Sequence, residues 1–125
     1  MRKNPLVVEK PEKVRKGWGY EIQIINTDKY CSKILHFNQG GISSLHYHID
    51  KYETWFLAKG TIKLKGINPD SAEEYEIMVH EGEMVDILRG TIHQVEAITE
   101  ADIYEVSTPD NWEDNYRVMK GDSQK

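Results

Sequence analysis

The sequence is short of cysteine, of long apolar runs and of positive charge, and each shortage removes a class of protein. One cysteine, Cys31, among 125 residues leaves no partner for an internal disulfide, so a disulfide-stapled scaffold is excluded and a reducing cytoplasm is the expected compartment. No apolar run approaches the ~20 residues a membrane-spanning helix needs. The charged start Met1-Arg2-Lys3 leads into no apolar signal core, so no membrane partner is expected. Lys and Arg number 16 against 21 Asp and Glu, a net charge of -5. A nucleic-acid partner, which would call for a basic surplus or stripe, is therefore not expected. Stretches of helical period between the extended runs are also lacking, which disfavours a parallel α/β fold. What remains, 38% hydrophobic and 30% charged, is globular and of a length for one domain.

Short runs rich in Ile, Val, Tyr, Phe and Thr fill the chain from Trp18 to Val106. They predict strands at Tyr20–Ile25, Tyr30–Phe37, Ser44–His48, Glu53–Ala58, Thr61–Ile67, Tyr75–Val79, Met84–Ile87, His93–Ala97 and Ile103–Val106. The breaks carry turn chemistry: Asn26-Thr27-Asp28, Asn38-Gln39-Gly40-Gly41, Lys59-Gly60, Asn68-Pro69-Asp70-Ser71, Glu81-Gly82 and Arg89-Gly90. Strands of this length and spacing predict an all-β sandwich or barrel. Residues 1 to 16, with Pro5 and Pro11, read as an extended arm or edge strand. Residues 109 to 125 read as a polar tail that Trp112, Tyr116 and Val118-Met119 pin down as a short helix or arm.

The candidate chemistry lies in the histidines. Alternation along a strand puts His46 and His48 on one face, and the turn through Asp50-Lys51 brings Glu53 back beside them. His93, after the turn Arg89-Gly90, is a fourth candidate. A His-x-His pair alone also fits simple strand packing. Three imidazoles and one carboxylate drawn together suit a divalent first-row metal, with one or two coordination positions open for chemistry.

The full spacing resembles the cupin family. Its first motif, G-x5-H-x-H-x4-E-x6-G, reads Gly40, His46, His48, Glu53 and Gly60. Its second, G-x5-P-x-G-x2-H-x3-N, reads Gly82, Leu88, Gly90, His93 and Ala97, with Leu for Pro and Ala for Asn. The resemblance implies a single-domain double-stranded β-helix, the jelly-roll barrel, over residues 17 to 108. It also implies one divalent metal ion per chain, Zn, Mn, Fe or Ni, held by His46, His48, Glu53 and His93.

Further matches resemble the type II mannose-6-phosphate isomerase-like cupins. They are Lys16-Gly17-Trp18-Gly19, Lys33, Ser44-Leu45-His46-Tyr47-His48, Glu53-Thr54-Trp55, Glu105-Val106 and Glu113-Asp114-Asn115-Tyr116-Arg117. His46 replaces a Gln, and Gln94 stands where that subgroup has Arg. The resemblance implies aldose–ketose isomerisation of a sugar or sugar phosphate through a metal-stabilised enediolate. Two other readings stay open: an Fe(II)-dependent dioxygenase and a non-catalytic small-molecule-binding cupin. A homodimer is expected by the same analogy.

Isomerisation needs a base. Lys33, Glu105 and His36 are the candidates, and strand parity puts Lys33 with Cys31 and Phe37 on one face and His36 on the other. Lys33 acts as a base only with a lowered pKa; as a cation it holds an anion or polarises an oxygen. Arg117 and Arg89, with Arg15 and Lys16 behind them, are the candidate phosphate anchors. Tyr47 and Trp55 are the candidate sugar-contacting aromatics, Trp55 by its shared parity with Glu53.

Overall fold

The computed structural model describes residues 5–125. Among them are eleven strands: β1 Lys13–Lys16, β2 Gly19–Asn26, β3 Cys31–Phe37, β4 Leu45–Tyr47, β5 Glu53–Lys59, β6 Thr61–Ile67, β7 Glu74–His80, β8 Met84–Ile87, β9 His93–Ala97, β10 Ala101–Ser107 and β11 Tyr116–Met119. A single 3-10 turn, Asp122–Gln124, follows. Among the described residues no helix is long and apolar enough to cross a membrane. The strands form two antiparallel sheets, one in the order β1-β2-β3-β10-β5-β8 and the other β11-β4-β9-β6-β7. This is the double-sheet jelly roll that the cupin resemblance implies.

The strands form where alternation lets one side chain in two leave water. β6 buries Ile62, Leu64 and Gly66 while Thr61, Lys63 and Lys65 face out. β5 turns Glu53, Trp55 and Leu57 inward, β9 turns His93, Val95 and Ala97, and β10 turns Ala101, Ile103 and Glu105. The apolar members form one core of Leu35, Phe37, Trp55, Leu57, Ile62, Leu64, Val79, Ile87, Val95, Ala97, Ala101 and Ile103. Trp18 stacks on Phe37 with ring centroids 4.1 Å apart and closes its side. At the β5–β6 turn, Gly60 takes φ +88°, and a Cβ there would collide with the Glu100 carbonyl. That explains glycine at the end of the first motif.

The N-terminal segment follows the expectation and the C-terminal tail differs from it. Of the expected N-terminal arm, residues 1–4 lie outside the described residues. Residues 5–12 are exposed, and Lys13–Lys16 pairs with β2 as an edge strand. The tail is neither a bare arm nor an α-helix. Its β11 pairs antiparallel with β4 in the register Tyr116↔Tyr47 and Arg117↔His46. Every residue of β11 is exposed, so it carries no apolar period to read. It is a strand because the edge of β4 offers unpaired backbone groups that a strand satisfies and a helix does not.

Candidate metal centre

β4 and β9 pair through His46↔His93, and β4 delivers His48 two residues on. The three imidazoles meet inside the barrel with one ligand nitrogen of each within 4.8 Å of the others. Ring centroids lie 4.5 Å apart for His46 and His93, and 5.2 Å for His46 and His48. The Nδ1 of His46 lies 3.0 Å from the Ser44 carbonyl, that of His48 2.7 Å from the Asp114 carbonyl, and that of His93 2.9 Å from the Thr91 carbonyl. A carbonyl can only accept, so each Nδ1 carries the proton and each Nε2 keeps its lone pair for a ligand.

Glu53 stands beside them, 2% exposed. Its Oε1 accepts a hydrogen bond from the Trp55 indole at 2.7 Å, and its Oε2 lies 3.4 Å from His48 Nε2. Glu53 Oε2 and His93 Nε2 are buried without a hydrogen-bond partner. Buried orphans of this kind are costly unless something binds them. The orphaned pair and two further imidazole lone pairs are a donor set that suits a divalent cation.

The site's electrostatics agree with that fit. Burial, and then the charges His93 and His48 would carry, push the His46 pKa down to about 3; burial pushes His93 down to about 4 and lowers His48. At neutral pH all three are neutral imidazoles, the ligating form. Burial and then the nearby Glu105 carboxylate raise Glu53 to about 8. A cation among the imidazoles is what would hold it ionised.

The cavity above this cluster has a volume of about 350 Å³. Lys33, Glu105, Trp55 and Arg117 line it, as expected for substrate or catalytic residues, and so do Lys16 and Glu21. Lys33 is a correction as a base. Burial pulls its pKa down, but Glu21, and after it Glu105 and Asp110, outweigh burial and raise it. Its Nζ lies 2.9 Å from Asp110 Oδ2. Glu105 differs: burial pushes its pKa up, but Lys51 and then Lys33 bring it below the usual carboxylate value, so it is ionised. Tyr47 and Arg89 are outside the lining. The alternation that sends His46 inward sends Tyr47 out to stack on Tyr116 at 5.1 Å. Arg89 donates from Nε to the Asp50 carbonyl at 2.8 Å and lies over the Tyr52 ring. His36, on the outer face as parity predicts, is held by Asp102 and Glu100.

Three residues of the site carry no role in the sequence reading. Lys51 is 4% exposed, with Nζ 2.7 Å from Glu105 Oε2 and 3.3 Å from Asp110 Oδ1. Its signal is parity, since it lies two residues before Glu53. Asp110 and Asp114 have no periodic signal, because they reach the site from the tail. Asp114 accepts from the backbone N–H of Ile49 at 2.7 Å and of Asp50 and Lys51 at 3.0 Å, while its own carbonyl orients His48.

No family model matches the sequence. A curated relative, mannose-1-phosphate guanylyltransferase of Sinorhizobium fredii, is 28% identical over 78 residues, which is 62% of this chain and 14% of that protein. Among solved structures, oxalate decarboxylase from Bacillus subtilis superposes with a TM-score of 0.77 at 15% identity, over 86% of this chain and 30% of that one. Another structure of the same enzyme, described as having Mn(II) centres, gives 0.76 at 15% over the same shares. The chain thus spans well under half the length of each of these proteins. At these identities the fold is what is shared.

Proposed function

We propose that this chain, a cupin by fold, is a metal-dependent isomerase of a sugar phosphate or related sugar. The observation that carries the reading is what one cavity brings together: three imidazole nitrogens that could hold a divalent ion, with Glu53 beside them, an ionised Glu105, and Arg117 and Lys16 in the lining. Each has a part in moving a proton between neighbouring carbons of a bound sugar phosphate. A bound ion would supply Lewis acidity towards the two substrate oxygens on which negative charge builds. Glu105 Oε2 takes the proton from one carbon and returns it to the next. Lys51, 2.7 Å away, keeps that carboxylate ionised between turnovers. Trp55 fixes Glu53 through its indole N–H, so that one carboxylate oxygen faces His48. Arg117 and Lys16 supply the positive charge that a phosphate needs, the guanidinium by a two-toothed grip. The matched relative is named for a sugar phosphate, which supports that substrate class.

The test is anaerobic. The full chain, loaded in turn with Mn, Zn, Ni or Fe(II), is incubated in heavy water with a panel of hexose and pentose phosphates. Deuterium is expected at the carbon beside the carbonyl, together with interconversion of aldose and ketose. Glu105→Gln is expected to abolish both while metal content stays. Binding without exchange would make the chain a non-catalytic binder. Oxygen uptake that depends on Fe(II), without exchange, would make it a dioxygenase.

A further inference from the structure

Of the three tryptophans, two are taken up by the fold. Trp18 is buried and stacks on Phe37; Trp55 is buried and donates to Glu53. Trp112 is 83% exposed, so it does not pin the tail as the sequence reading expects. It nevertheless lines the metal cavity. The other apolar residues of that lining are at most 9% exposed. The segment that carries Trp112 is tied at both ends. At Asp110 the backbone exchanges two hydrogen bonds of 2.9 Å with the Asn26 side-chain amide, and the carboxylate meets Lys33 and Lys51. At Asp114 the carboxylate accepts from three backbone N–H groups, and its own N–H donates to the Asn111 carbonyl at 2.9 Å. Between these anchors the Asn111 side chain accepts from the Glu113 N–H at 3.1 Å, closing a turn around Trp112. The backbone is thus held while the indole faces water. An indole left there forfeits the stabilisation that burying roughly 150–250 Å² would bring. A ring positioned in advance at the edge of a cavity gives a ligand a contact that costs little ordering.

We propose that Trp112 is the platform on which the closed ring of a sugar phosphate stacks, and so a specificity-determining residue. This rests on the reading of the cavity as a sugar-phosphate site. The chemistry of such a ligand divides the lining. Its hydroxyl and carbonyl oxygens suit the imidazole cluster, and its phosphate suits Arg117 and Lys16. What is left is the C–H face of the ring, apolar and slightly positive, which complements the negative face of an indole. Only a closed ring presents that face as a plane; in an open chain the carbons rotate and it is lost. Trp112 therefore favours cyclic ligands over open-chain ones of similar composition. The two aromatics expected from sequence are engaged elsewhere, Tyr47 on Tyr116 outside the barrel and Trp55 on Glu53.

The probes are 1,5-anhydroglucitol 6-phosphate and 1,5-anhydromannitol 6-phosphate, closed rings that can neither open nor isomerise, set against glucitol 6-phosphate, an open chain. With Trp18 and Trp55 buried, acrylamide quenching of the zinc-loaded full chain reports on Trp112. At least one anhydro probe is expected to protect Trp112 from acrylamide. In calorimetry that probe should bind Trp112→Ala about three- to tenfold more weakly than the parent chain, with Trp112→Phe in between. Zinc content and thermal midpoint should not move. Glucitol 6-phosphate should bind parent and Trp112→Ala within about twofold of each other. Protection by neither anhydro probe, Trp112→Ala binding them as the parent does, or an equal loss for the open chain would each overturn the proposal. Protection without isomerisation of any sugar phosphate would uphold it and sink the isomerase function; isomerisation with Trp112 left unprotected would do the reverse.

Discussion

The two halves of the barrel interior are built from the same strands and obey the same alternation, yet they do opposite things. β5 enters with Glu53 and Trp55 and ends with Leu57; β9 begins at His93 and continues to Val95 and Ala97; β10 runs from Ala101 and Ile103 to Glu105; β3 runs from Lys33 to Leu35 and Phe37. One half is therefore dry and apolar, and burial there is the dominant favourable term in folding. The other half holds Lys33, Lys51, Glu53, Glu105 and three imidazoles around a cavity. Ionisable groups buried together cost stability unless each has a partner. The fold tolerates the polar half because the apolar half supports it, and because the tail brings Asp110 and Asp114 to satisfy what the barrel strands leave open.

Substitutions in the two halves should separate stability from metal binding. The largest effect on the fold is expected from Lys51→Met, which leaves Glu105 a buried charge without its nearest partner. It should cost about 3–5 kcal/mol in denaturant unfolding, and a loss below ~1 kcal/mol would mean that Lys33 and water take over. Leu57→Ala, in the dry half, should cost about 2–5 kcal/mol through its cavity. Its folded fraction should bind metal at the parent stoichiometry, and a change there would show that the halves are coupled.

Asp114→Ala removes the acceptor for three backbone N–H groups and frees the segment that orients His48. About 1–3 kcal/mol of stability and about 10–100-fold of metal affinity should go together, with Asp114→Asn in between. Equal metal affinity in all three would confine Asp114 to the fold.

Acid should destabilise the metal-free chain gradually. His46 and His93 have folded pKa values of about 3 and about 4, below the ordinary 6.5, so as pH falls from 6.5 the unfolded chain takes up protons that the folded one refuses. Glu53 works the other way: raised to about 8, it favours the folded state below its ordinary 4.5 and loses that contribution as pH rises through 8. Two imidazoles against one carboxylate leave a net loss of up to about 1.4 kcal/mol per pH unit between 6.5 and about 4.5. Stability flat across that window, measured with a chelator present, would contradict the buried neutral imidazoles.

The smallest effect on the fold should come from His48→Ala. Stability is expected to stay within about 1 kcal/mol of the metal-free parent, while metal content in elemental analysis falls more than about a hundredfold. A chain that unfolds instead would make the ion a structural staple.

Much of this architecture is legible from residue order alone. β6, β8 and β9 lie where alternation places them, and the paired motifs place His46, His48, Glu53 and His93 in a common neighbourhood, because a period of two is a local property and turns between short strands announce themselves. Lys51 was readable too, since the parity that turns Glu53 inward continues two residues back. The outward turn of Tyr47 follows from the same parity, since it lies between His46 and His48; the orientation of Arg89 was not readable, because it sits in a turn, where no alternation applies.

Sequence by itself determined the all-β class, since alternation and turn residues are carried residue by residue, and the motif resemblance added the barrel and the candidate ligands. Tertiary structure alone decided which groups keep their charge. Lys33 is held as a cation because Glu21, and after it Glu105 and Asp110, surround it in the folded chain, and the tail became a strand because β4 offered it an open edge. Charge states depend on distance and burial, and both are properties of the folded chain.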